Sequence, residues 1–76
     1  MSKNQSIATW AAFVLSKFRK KYKLSESDFA KAINEYKAVS FLIGNYELLH
    51  YYDFDFAVDD LGKYIAEQGW SLNAAA

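Results

Sequence analysis

Seventy-six residues make room for one domain and one core, and a chain this short buries only roughly 60% of the surface its unfolded form exposes. The absence of cysteine excludes a disulfide framework and thiolate metal sites, and hydrophobic residues at 53% with aromatics at 18% exclude a disordered chain, which would be poor in aromatics. Net charge is zero but unevenly spread, with six bases and no acid in residues 1 to 23 (+6) and three lysines against nine acids in residues 24 to 76 (−6), so the fold either neutralises itself or offers partners two faces of opposite sign.

The hydrophobic period is helical nearly throughout, and no linker or internal repeat divides the chain. A first helix is predicted from about Ser6 to Tyr22, where Ile7, Trp10, Ala11, Val14, Phe18 and Tyr22 recur at spacings of three or four and make one apolar stripe. Phe13 and Leu15 lie off its centre, and lysines gather in the last turns, where they suit the negative end of the helix dipole. A second helix starts at the clearest local signal in the chain. Ser25 can cap, Asp28 follows three residues later as a shorter-armed capping box, and Leu24 with Phe29 forms a hydrophobic staple. It carries Phe29, Ala30, Ile33 and Tyr36 inward and ends near Lys37, where the apolar phase shifts.

A third helix is predicted over about Val39 to His50, with Leu42, Tyr46 and Leu49 inward and Phe41 and Ile43 beside them. Gly44 inside it costs about 1 kcal/mol relative to alanine, a cost expected where another helix passes close. Residues 51–56 alternate aromatic and acidic side chains, which argues for a strand, but no second strand pattern exists to pair with it. This stretch is therefore read as a turn into a fourth helix, with Asp53 or Asp55 as its cap. Ala57, Val58, Leu61, Ile65 and Gln68 mark the inner face of that helix, Gly69 stops it, and Trp70 and Leu72 are expected to fold back. The expectation is an all-α, compact four-helix single domain spanning residues 1–76, ordered over about 6–72, with Ala74, Ala75 and Ala76 read as a cloning scar.

No apolar run approaches the roughly 20 residues that span a membrane, and the N-terminus lacks the charged and apolar regions of a signal peptide, so a cytoplasmic location with no membrane partner is expected. His50 is the only histidine, and no nucleophile or acid forms a catalytic pattern with it. It is read as a structural residue that hydrogen-bonds a carboxylate or a backbone carbonyl and fixes the corner before the last helix. Asp53, Asp55, Asp59 and Asp60 lack the turn glycine and closing glutamate of a calcium loop, so capping and favourable charge near a helix N-terminus explain most of that cluster. No metal, cofactor or catalytic residue is expected.

Lys17, Arg19, Lys20, Lys21 and Lys23 could meet phosphates, but five bases over seven positions wrap around a helix and do not share one face. Helix two does not match the base-reading helix of a DNA-binding helix-turn-helix, because its Lys31 and Asn34 are accompanied by the acids Asp28 and Glu35. Fourteen aromatics (six Phe, six Tyr, two Trp) exceed what so small a core hides. Tyr and Trp concentrate at interface hot spots, which makes Phe13, Tyr51, Tyr52, Phe54 and Trp70 the candidates for partner binding. Tyr46, His50, Asp53 and Asp60 are the structural polar candidates.

Asn45-Tyr46-Glu47-Leu48-Leu49-His50, then Ala57-Val58-Asp59-Asp60-Leu61 and the closing Glu67-Gln68-Gly69, resemble a family of small bacterial proteins known as domain of unknown function 3791. The likeness runs from about Ile7 to Gly69, and Tyr46, His50, Asp60 and Gly69 are its most specific part. Many members place a small polar pair after the histidine, where this chain has the bulkier Tyr51 and Tyr52. The resemblance implies no enzyme activity. It implies an antitoxin-like or accessory role, because similar proteins are often encoded beside toxins of the ADP-ribosyltransferase type; that step is associational. The expected function is a non-enzymatic module that binds a protein, with a toxin or a second copy as candidate partners. The alternative is a nucleic-acid-associated regulator using the basic end of the first helix.

Overall fold

The computed structural model describes the backbone of residues 3–70 and the side chains of residues 6–70. Leu72 and the terminal alanines lie outside the described residues. The described chain is all helical: α1 (Lys3–Tyr22), α2 (Glu26–Asn34), α3 (Ala38–Gly44), α4 (Tyr46–Leu49) and α5 (Phe54–Glu67). Its radius of gyration, 11.8 Å, is close to the roughly 11 Å of a compact domain this long.

Helix α1 packs most extensively on α5, and α3 lies against both while also touching α2 and α4. The core forms where their apolar stripes meet. Val14, Phe18, Leu42, Leu49, Val58, Leu61 and Ile65 are its largest fully buried side chains. Four alanines, Ala11, Ala32, Ala38 and Ala57, are buried among them. Ile7, Trp10, Phe29, Ile33 and Tyr46 are only half-buried.

Several boundaries and faces differ from expectation. Helix α2 stops at Asn34, three residues before Lys37, and turns Ala32 rather than Ala30 into the core; Ala30 is exposed. The predicted third helix is two helices, with Asn45 between them at φ −115° and ψ 17°. The Asn45 side-chain amide donates to the Phe41 carbonyl at 2.8 Å, and that carbonyl also takes the Asn45 backbone N–H at 3.1 Å. A side chain that engages the backbone of its own helix bends or ends it, and Gly44 beside it offers little helix propensity. Ile43, expected at the flank of the inner face, is 49% exposed.

Gly44 does not sit beneath a passing helix, because a Cβ there would meet nothing within 4 Å. The close approach is at Gly62, where a Cβ would collide with the Tyr22 hydroxyl and come within 3.2 Å of its ring. Gln68 is exposed, although its amide reaches the Tyr36 carbonyl at 3.4 Å.

Two corners are turned by lysines rather than glycines. Lys23 (φ 48°) and Lys37 (φ 59°) occupy left-handed conformations. At the end of α1, Leu24 N–H bonds the Arg19 carbonyl at 3.0 Å and Lys23 N–H the Lys20 carbonyl at 3.3 Å, the paired bonds of a Schellman stop. Gly69, at φ 103°, ends α5 as expected.

Candidate functional site

Exposed aromatics collect where α1 passes the start of α5. Helical spacing puts Trp10, Phe13 and Lys17 along one side of α1. The corner after α4 presents Tyr51 and Tyr52, and the first turn of α5 presents Phe54. Asp53 fixes that turn by accepting the Phe56 backbone N–H at 2.9 Å, so Asp53, and not Asp55, is the cap. Phe13 is 58% exposed, Tyr51 80%, Tyr52 50% and Phe54 37%, large values for side chains of this size.

These rings lie in neighbouring pairs. Phe13 and Phe54 lie 6.1 Å apart between centroids, Tyr51 and Tyr52 5.3 Å, and Tyr52 and Phe56 4.4 Å. A concavity of about 330 Å³ opens between them, lined by Trp10, His50, Tyr52, Asp53 and Phe54. Leu48 on α4 is also 55% exposed, and its carbonyl accepts the Tyr51 N–H at 3.3 Å. Leu48 was not among the sequence candidates. Its signal was its place outside the stripe of Leu42, Tyr46 and Leu49, which leaves a leucine pointing away from the core.

Trp70 does not join this surface. It follows α5, whose 14 residues place it roughly 20 Å from Phe54 along the helix axis. It stacks on Tyr36 at 5.2 Å, with the Lys31 ammonium 5.0 Å from its ring centre. The five candidates for partner binding thus divide into four neighbouring rings and one ring folded back on α2.

His50 bonds a backbone carbonyl. Its Nδ1 lies 2.6 Å from the Tyr46 carbonyl oxygen, and its ring stacks on that of Tyr46 at 4.2 Å with planes 9° apart. A carbonyl oxygen can only accept, so Nδ1 carries the proton. Trp10 meets Tyr46 edge-on at 5.2 Å, which ties α1 to this corner. Asp60 is half-buried on α5. Among the described residues no three potential ligands gather as a metal site.

The basic stretch of α1 is spent in several directions. Arg19 Nε donates to the Leu24 carbonyl at 3.1 Å, and its guanidinium lies 5.3 Å from the Phe29 ring centre. Lys17 Nζ lies 5.9 Å from the Phe54 ring. Lys21 donates to Asp59 across the α1–α5 seam, and that hydrogen bond raises its pKa above the ordinary 10.5. Lys17, Lys20 and Lys21 share one cleft with Asp55 and Asp59, so the opposed charges of the two chain halves partly neutralise each other.

The model of a family described as "Protein of unknown function (DUF3791)" matches residues 10–68, well over half of the chain, and the chain belongs to that family. No curated protein and no solved structure matches it. The match spans all of α2 to α5 and most of α1. No helix among the described residues is long and apolar enough to cross a membrane.

Proposed function

We propose that this member of the DUF3791 family is a non-enzymatic binding module that docks a protein through the surface formed by Phe13, Tyr51, Tyr52 and Phe54. The observation that carries the reading is the exposure of these four rings, two neighbouring pairs that meet across a concavity, in a chain whose core is already filled by other residues. A contiguous exposed apolar patch on so small a domain marks an interaction site. Rigid aromatic side chains suit such a role, because they bring large contact area with few rotatable bonds to immobilise.

The same geometry supports binding over catalysis. His50, the one histidine, is held by the Tyr46 carbonyl and ring, as a positioning residue is. An antitoxin-like role would be occlusion: the patch covers a surface that the toxin needs. The basic end of α1 supports the nucleic-acid alternative less well, since Arg19 and Lys21 are engaged within the fold.

The test is comparative affinity purification from the native host. The intact chain, a Phe13→Ser/Tyr51→Ser variant and a Lys63→Ala control serve as baits, with mass spectrometry as the readout. A protein retained by the intact chain and the control but lost from the double variant is the expected result. Equal recovery on all three baits would place the interaction elsewhere.

A further inference from the structure

We infer that the concavity between Trp10, Tyr52 and Phe54 is a cage for a basic side chain of the partner, arginine in preference to lysine. The inference rests on the protein-docking reading and names the chemistry that the surface recognises.

Three aromatic rings and one carboxylate line the space, together with His50. Aromatic faces are electron-rich and attract cations within about 6 Å of the ring centre, tryptophan most strongly. The fold already uses this attraction at Phe54, which has the Lys17 ammonium 5.9 Å from its centre. A volume of about 330 Å³ is at the small end for a ligand pocket and suits one inserted side chain.

The polar groups agree with a cation. Asp53 Oδ1 accepts the Phe56 N–H, which leaves Oδ2 to accept from a ligand. The N-terminus of α5 repels a cation with about half a unit of positive charge. Asp53, a full negative charge on the lining itself, outweighs it, while Asp55 shares the neighbouring cleft with Lys17. A planar guanidinium can stack on a ring and donate to a carboxylate at once, which an ammonium cannot do as well.

The walls are braced before any ligand arrives. Trp10 leans on Tyr46, Tyr46 on His50, Tyr52 on Phe56 and Phe54 on Phe13. Binding therefore orders few side chains, which lowers its entropic cost.

The experiment is a nitrogen-15 NMR titration of the intact chain with Nα-acetyl-arginine methylamide, its lysine counterpart and its neutral citrulline counterpart. The two tryptophans give two indole signals, told apart with Trp70→Phe. The arginine probe should move the Trp10 signal saturably, and roughly tenfold more tightly than citrulline, the ratio of a partly desolvated cation–π contact. Lysine should fall between them. Asp53→Asn retains a capping side chain and Phe54→Leu retains apolar volume, so both should fold while weakening the arginine response several-fold.

An unmoved Trp10 signal, or equal affinity for arginine and citrulline, would overturn the cage. If it fell while the Phe13→Ser/Tyr51→Ser variant still lost its partner, the docking surface would stand with a different anchor. If arginine bound as expected but no partner depended on Phe13 and Tyr51, the docking reading would fail and the cage would remain.

Discussion

Alanine at Gly44 and alanine at Gly62 should act in opposite directions, although both glycines are helical. At Gly44 a Cβ meets open space, so Gly44→Ala should gain up to about 1 kcal/mol from helix propensity. At Gly62 the same gain is opposed by collision with Tyr22, whose ring is itself packed on Phe18 at 5.1 Å and cannot swing aside cheaply. Overpacking of that kind costs about 1–3 kcal/mol. Urea denaturation should therefore show Gly62→Ala less stable than wild type, with part of the loss recovered in Gly62→Ala/Tyr22→Phe.

The pattern of glycines in the sequence pointed to the wrong one, because a mid-helix glycine signals close approach without naming the neighbour. His50 was easier to read. A lone histidine with no catalytic companion needed a local partner, and the Tyr46 carbonyl one turn earlier supplies it. His50→Ala removes one exposed hydrogen bond and one ring stack, so it should cost about 1 kcal/mol. Thermal denaturation should then show a fall of about 4–8 °C in Tm, the shift that such a loss produces in a domain of this size. An unchanged Tm would show that the ring does not brace this corner.

Among the elements, those with chemical punctuation were legible. Ser25 and Asp53 each accept the N–H three residues ahead, and both helix starts follow from that. The alternating stretch at 51–56 became a turn and a helix because nothing pairs with a lone strand. The corners at Lys23 and Lys37 were hidden, since lysine carries no preference for left-handed backbone. They persist because the surrounding packing and hydrogen bonds outweigh a cost of about 1–2 kcal/mol each.

The seam between α1 and α5 also contains an interaction that periodicity cannot reveal, the pair of Lys21 and Asp59, 38 residues apart in the chain. Its pH dependence has a definite sign. The folded pKa of Lys21 is raised, so its contribution is full below 10.5 and is lost as pH rises through the folded value. Both side chains are largely exposed, so the effect is small and screened by salt. Wild type should exceed Lys21→Met slightly in urea midpoint at pH 8, with the difference shrinking near pH 11 and in 1 M salt.

For the whole molecule, the central question is how opposed charges and surplus aromatics are distributed. The basic first third of the chain folds onto the acidic last third, which lowers the field that either would present alone. Duplex DNA or RNA should accordingly show no submicromolar binding at physiological salt. A tight, salt-sensitive complex lost in Lys20→Glu/Lys21→Glu would instead make the basic end the functional face. The aromatics separate by location. Phe18 is fully buried, while Phe13, Tyr51, Tyr52 and Phe54 remain exposed on one side. That surplus was visible in the composition. The division of Trp70 from the other four was not, because it rests on contacts with Tyr36 and Lys31, which lie far from it in the chain.

This separation predicts that stability and binding can be changed independently. Leu42 is fully buried, and Leu42→Ala should cost about 2–5 kcal/mol, enough to unfold much of so small a domain. Phe13 and Tyr51 touch little of the core, and exposed substitutions usually change stability by about 0.5 kcal/mol or less. Phe13→Ser/Tyr51→Ser should thus retain the helical circular dichroism spectrum and nearly the wild-type Tm while losing partner recovery. Light scattering on the same pair of proteins identifies the partner class. A wild-type dimer that becomes monomeric in the variant would make the patch a contact between copies, which also adds stability that a short chain lacks. A wild-type monomer at high concentration leaves the patch to a different protein. Coincident loss of Tm and binding in the double variant would mean that these rings hold the fold together, and the docking surface would have to be sought elsewhere.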